Sequence, residues 1–489
     1  MKRAVWRICA RGAFGALLLC GCVGPNFHRP AAPAVERYTI EPMAPATVSA
    51  PGAGGAAQRF LLNQDAPRNW WTQFGSDELD SLVNDALRAN PDVASAQAAL
   101  RQALENTAAQ RGSYFPTAQG SFAATRNRDA TGVVQPTLQS GTPLYNLFTP
   151  QVTISYVPDV FGANRRAVES LSAQAEASRF QLEATYLTLT ANVVTGAIQE
   201  AGLRAQIAGT EQVIALERES LAVLRRELDL GAIAEVDVYA QDAALAQLEG
   251  SLPPLRKQLH QSRDQLAVLT GHLPADFQPV RFELDQLVLP ADLPLGVPSQ
   301  LVERRPDVRA AEAQLHAATA QVGVAIANLL PQVTLTGDLG TTATFFADLF
   351  KPGTGFWSMG ANVTQTLFAG GTLIHRKRAA EAALDRAAAQ YRSAVLTAFQ
   401  NVADALHALE ADAEALNAAS RALDAAQKSL GVARHQLELG SVSYLALVNS
   451  EQTYQQAVVT LAQTRVNRYA DTAALYQALG GSVSPIAAP

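Results

Sequence analysis

The chain has 489 residues, of which 48% are hydrophobic and 17% are charged, and its formal net charge is −6. An acidic chain repels phosphates and is therefore a poor candidate for nucleic-acid binding. No uninterrupted run of about 18 apolar residues is present, so a helical membrane span is not expected. Membrane-spanning strands stay open as an alternative, because their sequence pattern is much weaker.

Residues 1–21 have the pattern of a secretory signal, in which basic residues precede an apolar run. The sequence Leu-Cys-Gly-Cys at residues 19–22 resembles a bacterial lipobox and predicts lipid attachment at Cys22. An ordinary signal peptide with incidental cysteines is the alternative. Loss of the leader would remove Cys9 and Cys20 and bring the net charge to −10, so we expect no disulfides.

The sequence then predicts a lipidated, extended tether over residues 22–69, because Pro, Ala and Gly are frequent there. From Trp70 onward the pattern is regular. We expect a first structural repeat over residues 70–274, a linker over 275–298 and a second repeat over 299–482. A flexible tail follows at residues 483–489.

Motifs that recur at a nearly constant distance indicate the two repeats. The sequence Asn-Pro-Asp-Val at residues 90–93 returns as Arg-Pro-Asp-Val 215 positions later. The sequence Leu-Asp-Leu-Gly at residues 228–231 returns as Leu-Glu-Leu-Gly 209 positions later. These matches predict an internally duplicated chain with two copies of one structural plan.

Hydrophobic periodicity predicts the elements of each repeat. Leucines from Leu409 to Leu437 hold a seven-residue step, which is typical of a helix in a coiled coil. Alternation with a period of two predicts strands. In chain order we expect strands at about 114–126 and 150–158, helices at about 163–230, 233–270 and 306–329, strands at about 332–342 and 356–367, and helices at about 372–439 and 442–479.

The predicted strands have two contrasting faces. Val152, Ile154 and Tyr156 alternate with polar residues, and Trp357 and Met359 do the same. For one strand alone, a half-buried soluble sheet explains this alternation. For the set, an apolar outer face and a polar inner face favour a membrane barrel around a wet lumen. Four strands cannot close a barrel, so we expect several copies to assemble.

Several motifs together resemble one family. The lipobox is followed by Val-Gly-Pro-Asn-Phe at residues 23–27, and the regular part opens with Trp70, Trp71 and Phe74. With the paired Pro-Asp-Val and Leu-Gly motifs, the chain is similar to the TolC/OprM outer-membrane factors, and to their NodT-type lipoproteins in particular.

That resemblance implies an α+β membrane protein. Three protomers with four strands each would form one twelve-stranded transmembrane β-barrel, continued by a long α-helical coiled-coil barrel in the periplasm. The protein would be lipid-anchored in the cell outer membrane and would extend into the periplasm. As the exit duct of a tripartite efflux pump it would pass drugs or other small amphipathic compounds. Its partners would be a periplasmic adaptor and an inner-membrane transporter of the resistance-nodulation-division type.

The resemblance also implies the position of a gate. OprM-like members narrow their periplasmic end with a leucine and an acid early in the last helix, and the matching positions here are Leu445 and Asn449. Gln452 stands where an arginine often follows, so a gate held by charges at these two positions is not expected. Asp237 is the candidate for the missing acid. The alternatives are a plain helix-seam role for Leu445 and a solvated face for Asp237.

The two helix tips are predicted to dock the adaptor. The candidate residues are Leu230 and Gly231 in the first repeat, with Leu439 and Gly440 in the second. Helix termination alone also explains the glycines.

The sequence gives little support to an enzyme. Its seven histidines show no pair at metal-ligand spacing, and no Gly-x-Ser-x-Gly element is present. We expect no catalytic residue, no metal and no cofactor apart from the lipid. The remaining alternatives are the exit duct of a type I protein secretion system and a coiled-coil structural lipoprotein without a pore.

Overall fold

The computed structural model describes residues 23–128, 144–278 and 282–481. The chain forms two compact units. Among the described residues, the first unit contains 23–29, 101–128, 144–177 and 312–390, and the second contains 30–100, 178–278, 282–311 and 391–481.

Helices account for most of the described residues. The α-helices are α1 (Asp77–Ala89), α2 (Pro91–Arg111), α3 (Ala163–Asp229), α4 (Glu235–Leu269), α5 (Pro298–Arg304), α6 (Pro306–Ala327), α7 (Thr372–Glu438) and α8 (Tyr444–Ala478). The strands are β1 (Arg59–Leu62), β2 (Thr117–Arg128), β3 (Leu144–Tyr156), β4 (Asp292–Leu295), β5 (Gln332–Thr341) and β6 (Gly355–Thr364). Among these described helices, none combines the length and the apolarity that crossing a membrane requires.

The same series of elements occurs twice. Each series has two long strands, a helix of 67 residues and a helix of 35 residues. The ends of α3 and α7 lie one residue from the predicted bounds, since each helix stops just before its Leu-Gly pair. Helix α4 continues through Pro253 and Pro254 without a break.

The first unit contains a four-stranded sheet with the order β2-β3-β5-β6, in which all neighbours are antiparallel. The pairing aligns one row across the sheet, and this row consists of Gln119, Thr153, Asp338 and Ser358. Strands β2 and β6 are the two edges of the sheet.

The two faces of this sheet differ in chemistry. Because side chains alternate along a strand, the register assigns each residue to one face. One face includes Val152, Ile154, Leu339, Trp357 and Met359, and these large apolar side chains are exposed, up to 83% for Met359. The neighbouring positions carry Thr, Ser, Gln and Asn on the opposite face, where the described side chains are exposed or half-buried and none is buried. We name these the apolar face and the polar face.

The residues that follow Cys22 are packed within the first unit. Arg166 is buried, and its guanidinium donates to Val23 O at 3.3 Å and to Asn26 Oδ1 at 2.7 Å. Phe27 stacks on the His316 ring with 4.4 Å between the centroids. Our expectation of an unpacked tether is therefore wrong for this stretch.

The same correction applies to the later part of the tether, within the second unit. Strand β1 pairs in parallel with β4, so the predicted linker also contains regular structure. Gln58 is fully buried and donates to Pro290 O at 3.1 Å and to Thr472 Oγ1 at 3.0 Å. Buried backbone and amide groups need such partners, and here the tether and the linker supply them to each other.

Close helix packing builds the rest of the second unit. Trp70 stacks on Tyr476 at 5.4 Å between ring centroids, which seats the start of the regular region on α8. Helix α3 approaches its neighbours through glycines, because a Cβ at Gly202 would overlap Val466 and one at Gly196 would lie 2.9 Å from Leu266. Alanine-size seam residues and glycine therefore set the separation of these helices.

Candidate functional site

The candidate site is formed by one end of the four long helices in the second unit. Its apolar core contains thirteen buried residues of α3, α4, α7 and α8, which we name the tip bundle. These are Val213, Ile214, Leu221, Leu224, Val238, Leu245, Leu248, Leu252, Leu430, Ala433, Tyr444, Leu447 and Val448.

Helices α3 and α7 end in the same way. After α3, the N–H of Gly231 donates to Leu228 O at 2.8 Å, and the N–H of Ala232 donates to Glu227 O at 2.9 Å. After α7, Gly440 and Ser441 make the equivalent two hydrogen bonds, both at 2.9 Å. This pattern is a Schellman motif and requires a residue with positive φ, which is +71° at Gly231 and +68° at Gly440. Helix termination therefore explains both glycines.

The leucines before these glycines are not explained by termination. Leu230 is 78% exposed and Leu439 is 69% exposed, although both are large apolar side chains. Single exposed leucines are common on protein surfaces, so it is their matching place after both 67-residue helices that singles these two out. These two positions remain the candidates for a docking contact.

Three of the four predicted gate residues lie on one face of α8. Leu445, Asn449 and Gln452 are spaced by four and three residues, and all three side chains are exposed. Leu445 is 64% exposed, so it does not belong to the buried seam, which contains Leu447 and Val448 instead. Leu445 therefore lies outside the apolar seam that packs within the described chain, and its gate role remains a prediction.

Asp237 is placed differently. It lies in the first turn of α4, where a carboxylate is favourable for the helix dipole. Its charge acts on the hydroxyl of Tyr444, which is buried in the tip bundle. Among the described residues, no hydrogen bond or ion pair connects Asp237 to Asn449 or Gln452, so its gate role remains a prediction.

A buried polar cluster inside the tip bundle was missed by sequence reasoning. It consists of Glu217 from α3, Gln241 from α4 and Glu451 from α8, and each is at most 5% exposed. The amide Nε2 of Gln241 donates to the carboxylate of Glu217. Arg434 of α7 donates to Glu451 Oε1 at 3.3 Å and is the cation of the cluster.

The environment changes how these groups titrate. Burial, followed by the adjacent Glu451 carboxylate, raises the pKa of Glu217 to about 8. Burial and the two carboxylates also raise the pKa of Tyr444. Protonation of Glu217 removes the repulsion between its carboxylate and the buried carboxylate of Glu451.

The sequence does contain a signal for this cluster. Glu217 stands between Val213 and Leu221 at seam spacing, and Glu451 stands one turn after Leu447 and Val448. A charged residue at a seam position is read as a break in the pattern unless its partners on other helices are known. Only the tertiary structure shows that Glu217 and Glu451 meet each other and the buried amide of Gln241.

Cys22, the predicted lipidation site, lies outside the described residues. The stretch that follows it is held by Arg166, whose Nη1 also donates to Glu169 Oε2 at 2.8 Å. The other oxygen of Glu169 is 3.0 Å from His316 Nε2. Burial opposes the charge of Glu169, but hydrogen bonds from His316 and Arg166 outweigh it and lower its pKa. A lipid on Cys22 would thus be attached to a fixed segment.

Comparison with known proteins gives one consistent result. The sequence matches the family model described as outer membrane efflux protein over residues 82–272 and 297–481. The pyoverdine export outer membrane protein OpmQ of Pseudomonas putida is 28% identical over 443 residues, which covers 90% of this chain and 94% of that protein. Nodulation protein T of Rhizobium leguminosarum biovar trifolii is 25% identical over 97% of both chains.

Solved structures agree with the sequence comparison. The outer-membrane channel OprN has a TM-score of 0.83 and 29% identity, covering 94% of this chain and 99% of that chain. The Campylobacter jejuni CmeC channel has the same TM-score at 20% identity, which is a likeness of fold. The chain therefore belongs to the outer membrane efflux protein family, whose members are outer-membrane channel proteins and not enzymes.

Proposed function

We propose that three copies of this chain form the exit duct of a tripartite efflux pump. Their sheets join into one twelve-stranded barrel in the outer membrane, and their long helices form a tunnel through the periplasm. Each protomer carries a lipid on Cys22. The two similar halves of the chain derive from an internal duplication and contribute equivalent parts of the wall.

One observation carries this proposal: among the described residues, the sheet has two edge strands without a further partner strand, and neither of its two faces, which differ in chemistry, is buried. Unpaired backbone groups in a membrane cost several kcal/mol each, so the edges β2 and β6 need a partner strand. Pairing β6 of one copy with β2 of the next satisfies both edges in a closed ring. The apolar face then contacts lipid, and the polar face contacts water.

The helices support the same assembly. A helix of 67 residues is roughly 100 Å long at ~1.5 Å per residue, which is far longer than a compact domain requires. The seven-residue leucine step on α7 supports packing along this length, since Leu409, Leu416 and Leu430 are buried within the chain. Long helices that pack along their whole length are suited to form the wall of a tunnel.

The proposed partners are those that the family resemblance implies, and the exposed leucines after α3 and α7 are the proposed contact. Leu230 and Leu439 would contact a periplasmic adaptor, which in turn joins a resistance-nodulation-division transporter in the inner membrane. Energy would come from that transporter. The names of the relatives mention pyoverdine export and toluene efflux, which favours small molecules over secreted polypeptides as cargo.

A planar bilayer experiment tests the duct. The purified lipidated protein should form stepwise conductances, and a chain lacking the sheet segments β5 and β6 should form none. Absence of current from a correctly folded trimer would favour the structural lipoprotein without a pore.

Deletion of the gene tests the physiological role. Drug accumulation should rise in the deletion strain, and the wild-type gene should reverse this. Complementation with Cys22→Ala reports separately on the lipid. Loss of a secreted protein without any change in drug accumulation would instead indicate a type I secretion duct.

A further inference from the structure

On its described strands, the polar face of the sheet contains a single charged residue. Its members on the described parts of β2, β3, β5 and β6 are Thr, Ser, Gln, Asn, Ala and Gly, with a few larger side chains at the ends. Asp338 is the one Asp, Glu, Lys or Arg among them. The two arginines of these strands, Arg126 and Arg128, fall on the apolar face at the far end of β2.

Asp338 is fixed in position by both neighbouring strands. Thr153 Oγ1 on β3 donates to Asp338 Oδ1 at 2.7 Å. Ser358 Oγ on β6 donates to Asp338 Oδ2 at 2.8 Å. Both donors are neutral hydroxyls, and within the described residues no cation forms an ion pair with this carboxylate. Its negative charge is therefore held on the polar face without being neutralised.

We propose that Asp338 makes the barrel lumen selective for cations over anions. This inference rests on the proposed trimer, in which the polar face lines the lumen and threefold symmetry places three carboxylates around it. Rings of acidic side chains favour cations in channels, because they raise the local cation concentration and repel anions.

The expected size of the effect is moderate. One carboxylate about 10 Å from an ion changes its local concentration about twofold in water, and salt reduces this further. Positively charged or zwitterionic cargo would be favoured in the same sense. An organic anion would pass this level of the lumen less easily.

Single cysteines give a local test that does not depend on the state of the gate. The mature chain is expected to have no free thiol once Cys22 is acylated. The introduced cysteine is then the only thiol that can react with the reagent. Thr336→Cys places it on the polar face, two residues from Asp338, and Leu335→Cys places it on the apolar face. Cationic and anionic methanethiosulfonate reagents are then applied to the trimer in liposomes.

We expect the thiol of Thr336→Cys to react and that of Leu335→Cys to be protected by lipid. The cationic reagent should react faster than the anionic one in the presence of Asp338. Adding Asp338→Asn should lower the ratio of the two rates about fourfold at low salt, about twofold for each reagent. Asp348→Asn is the matched control, since Asp348 pairs with Lys351 at 2.6 Å outside the strands, and it should leave the ratio unchanged.

The two ways of failing are distinct. In the first case Thr336→Cys reacts, Leu335→Cys does not, and Asp338→Asn leaves the ratio of rates unaltered. The selectivity inference is then overturned, and the assignment of the polar face to the lumen is kept. In the second case both thiols react equally. The assignment of the faces is then wrong, and so is the proposed barrel.

Discussion

Glu217 on α3 and Glu451 on α8 are buried beside each other in the tip bundle, although each belongs to a class of residue that rarely leaves water. Ser220 and Arg434 both reach Glu451, at 3.5 and 3.3 Å, and Gln241 reaches Glu217. All four long helices thus contribute to one polar cluster. Its stability depends on how many protons it holds.

The cluster predicts that the tip bundle loosens as pH rises. Glu217 has an ordinary pKa of 4.5 in an unfolded chain and about 8 in the folded protein, so folding binds a proton between these values. Stability contributed by the neutral form is complete below pH 4.5 and is lost as pH rises through about 8. Hydrogen exchange of residues 444–452, corrected for its intrinsic pH dependence, should show less protection at pH 8.5 than at pH 6.

Glu217→Gln should remove most of this pH dependence, because an amide keeps the hydrogen bonds without the charge. Glu219→Gln, on the exposed side of the same helix, should leave it intact. Asp412, whose pKa is raised to about 7 by burial and by Asp471, contributes a change of the same sign elsewhere in the second unit. A tip bundle equally protected at both pH values would contradict the account of the cluster.

The predicted gate is tested by shortening its leucine. Leu445→Ala, alone or with Asn449→Ala, should increase single-channel conductance, because it removes an exposed apolar side chain from the face of α8 assigned to the constriction. Leu439→Ala is a matched control, since it removes a leucine of similar exposure at the tip of α7. Parent-like conductance in both gate variants would place the constriction elsewhere.

Substitutions in the predicted docking surface should change efflux in cells and leave the conductance of the purified channel unchanged. Leu230→Ser with Leu439→Ser should lower drug efflux in cells and reduce binding of the adaptor, because the exposed apolar contact is lost. Trimer formation and bilayer conductance should not change, since neither side chain is packed in the tip bundle. Unchanged efflux would leave both leucines without a role in docking.

The two faces of the sheet predict a sharp difference between nearby substitutions. Met359→Lys places a charge on the apolar face, where a lysine costs about 2–4 kcal/mol near the centre of a membrane. Asn362→Lys places the same charge on the polar face of the same strand. We expect the first variant to fail in outer-membrane insertion and the second to insert normally, as measured by heat-resistant trimers in membrane fractions.

The sequence alone predicted the long elements closely. The bounds of α3 and α7 were predictable because Gly231 and Gly440 mark their ends and because a heptad pattern is strong over such a length. The four strands of the sheet were predictable from their alternation, although β3 begins at Leu144, six residues before its predicted start, and β2 begins at Thr117, after a short 3-10 helix at Gly112–Tyr114.

Other features depend on tertiary contacts that leave no periodic signal. Strands β1 and β4 have four residues each, and β4 contains Pro294, so neither shows a readable pattern. The packing of Gln58 and Arg166 depends on partners more than a hundred residues away. The polar cluster of the tip bundle was missed for the same reason, because Glu217 and Glu451 each look like an isolated break in the apolar seam while their partners on other helices are unknown.

The most direct test of the whole account is an image of the purified, lipidated particle viewed along its long helices. We expect three copies around a threefold axis, with a continuous bore between them. A monomer, or a solid helical bundle without a bore, would contradict the account.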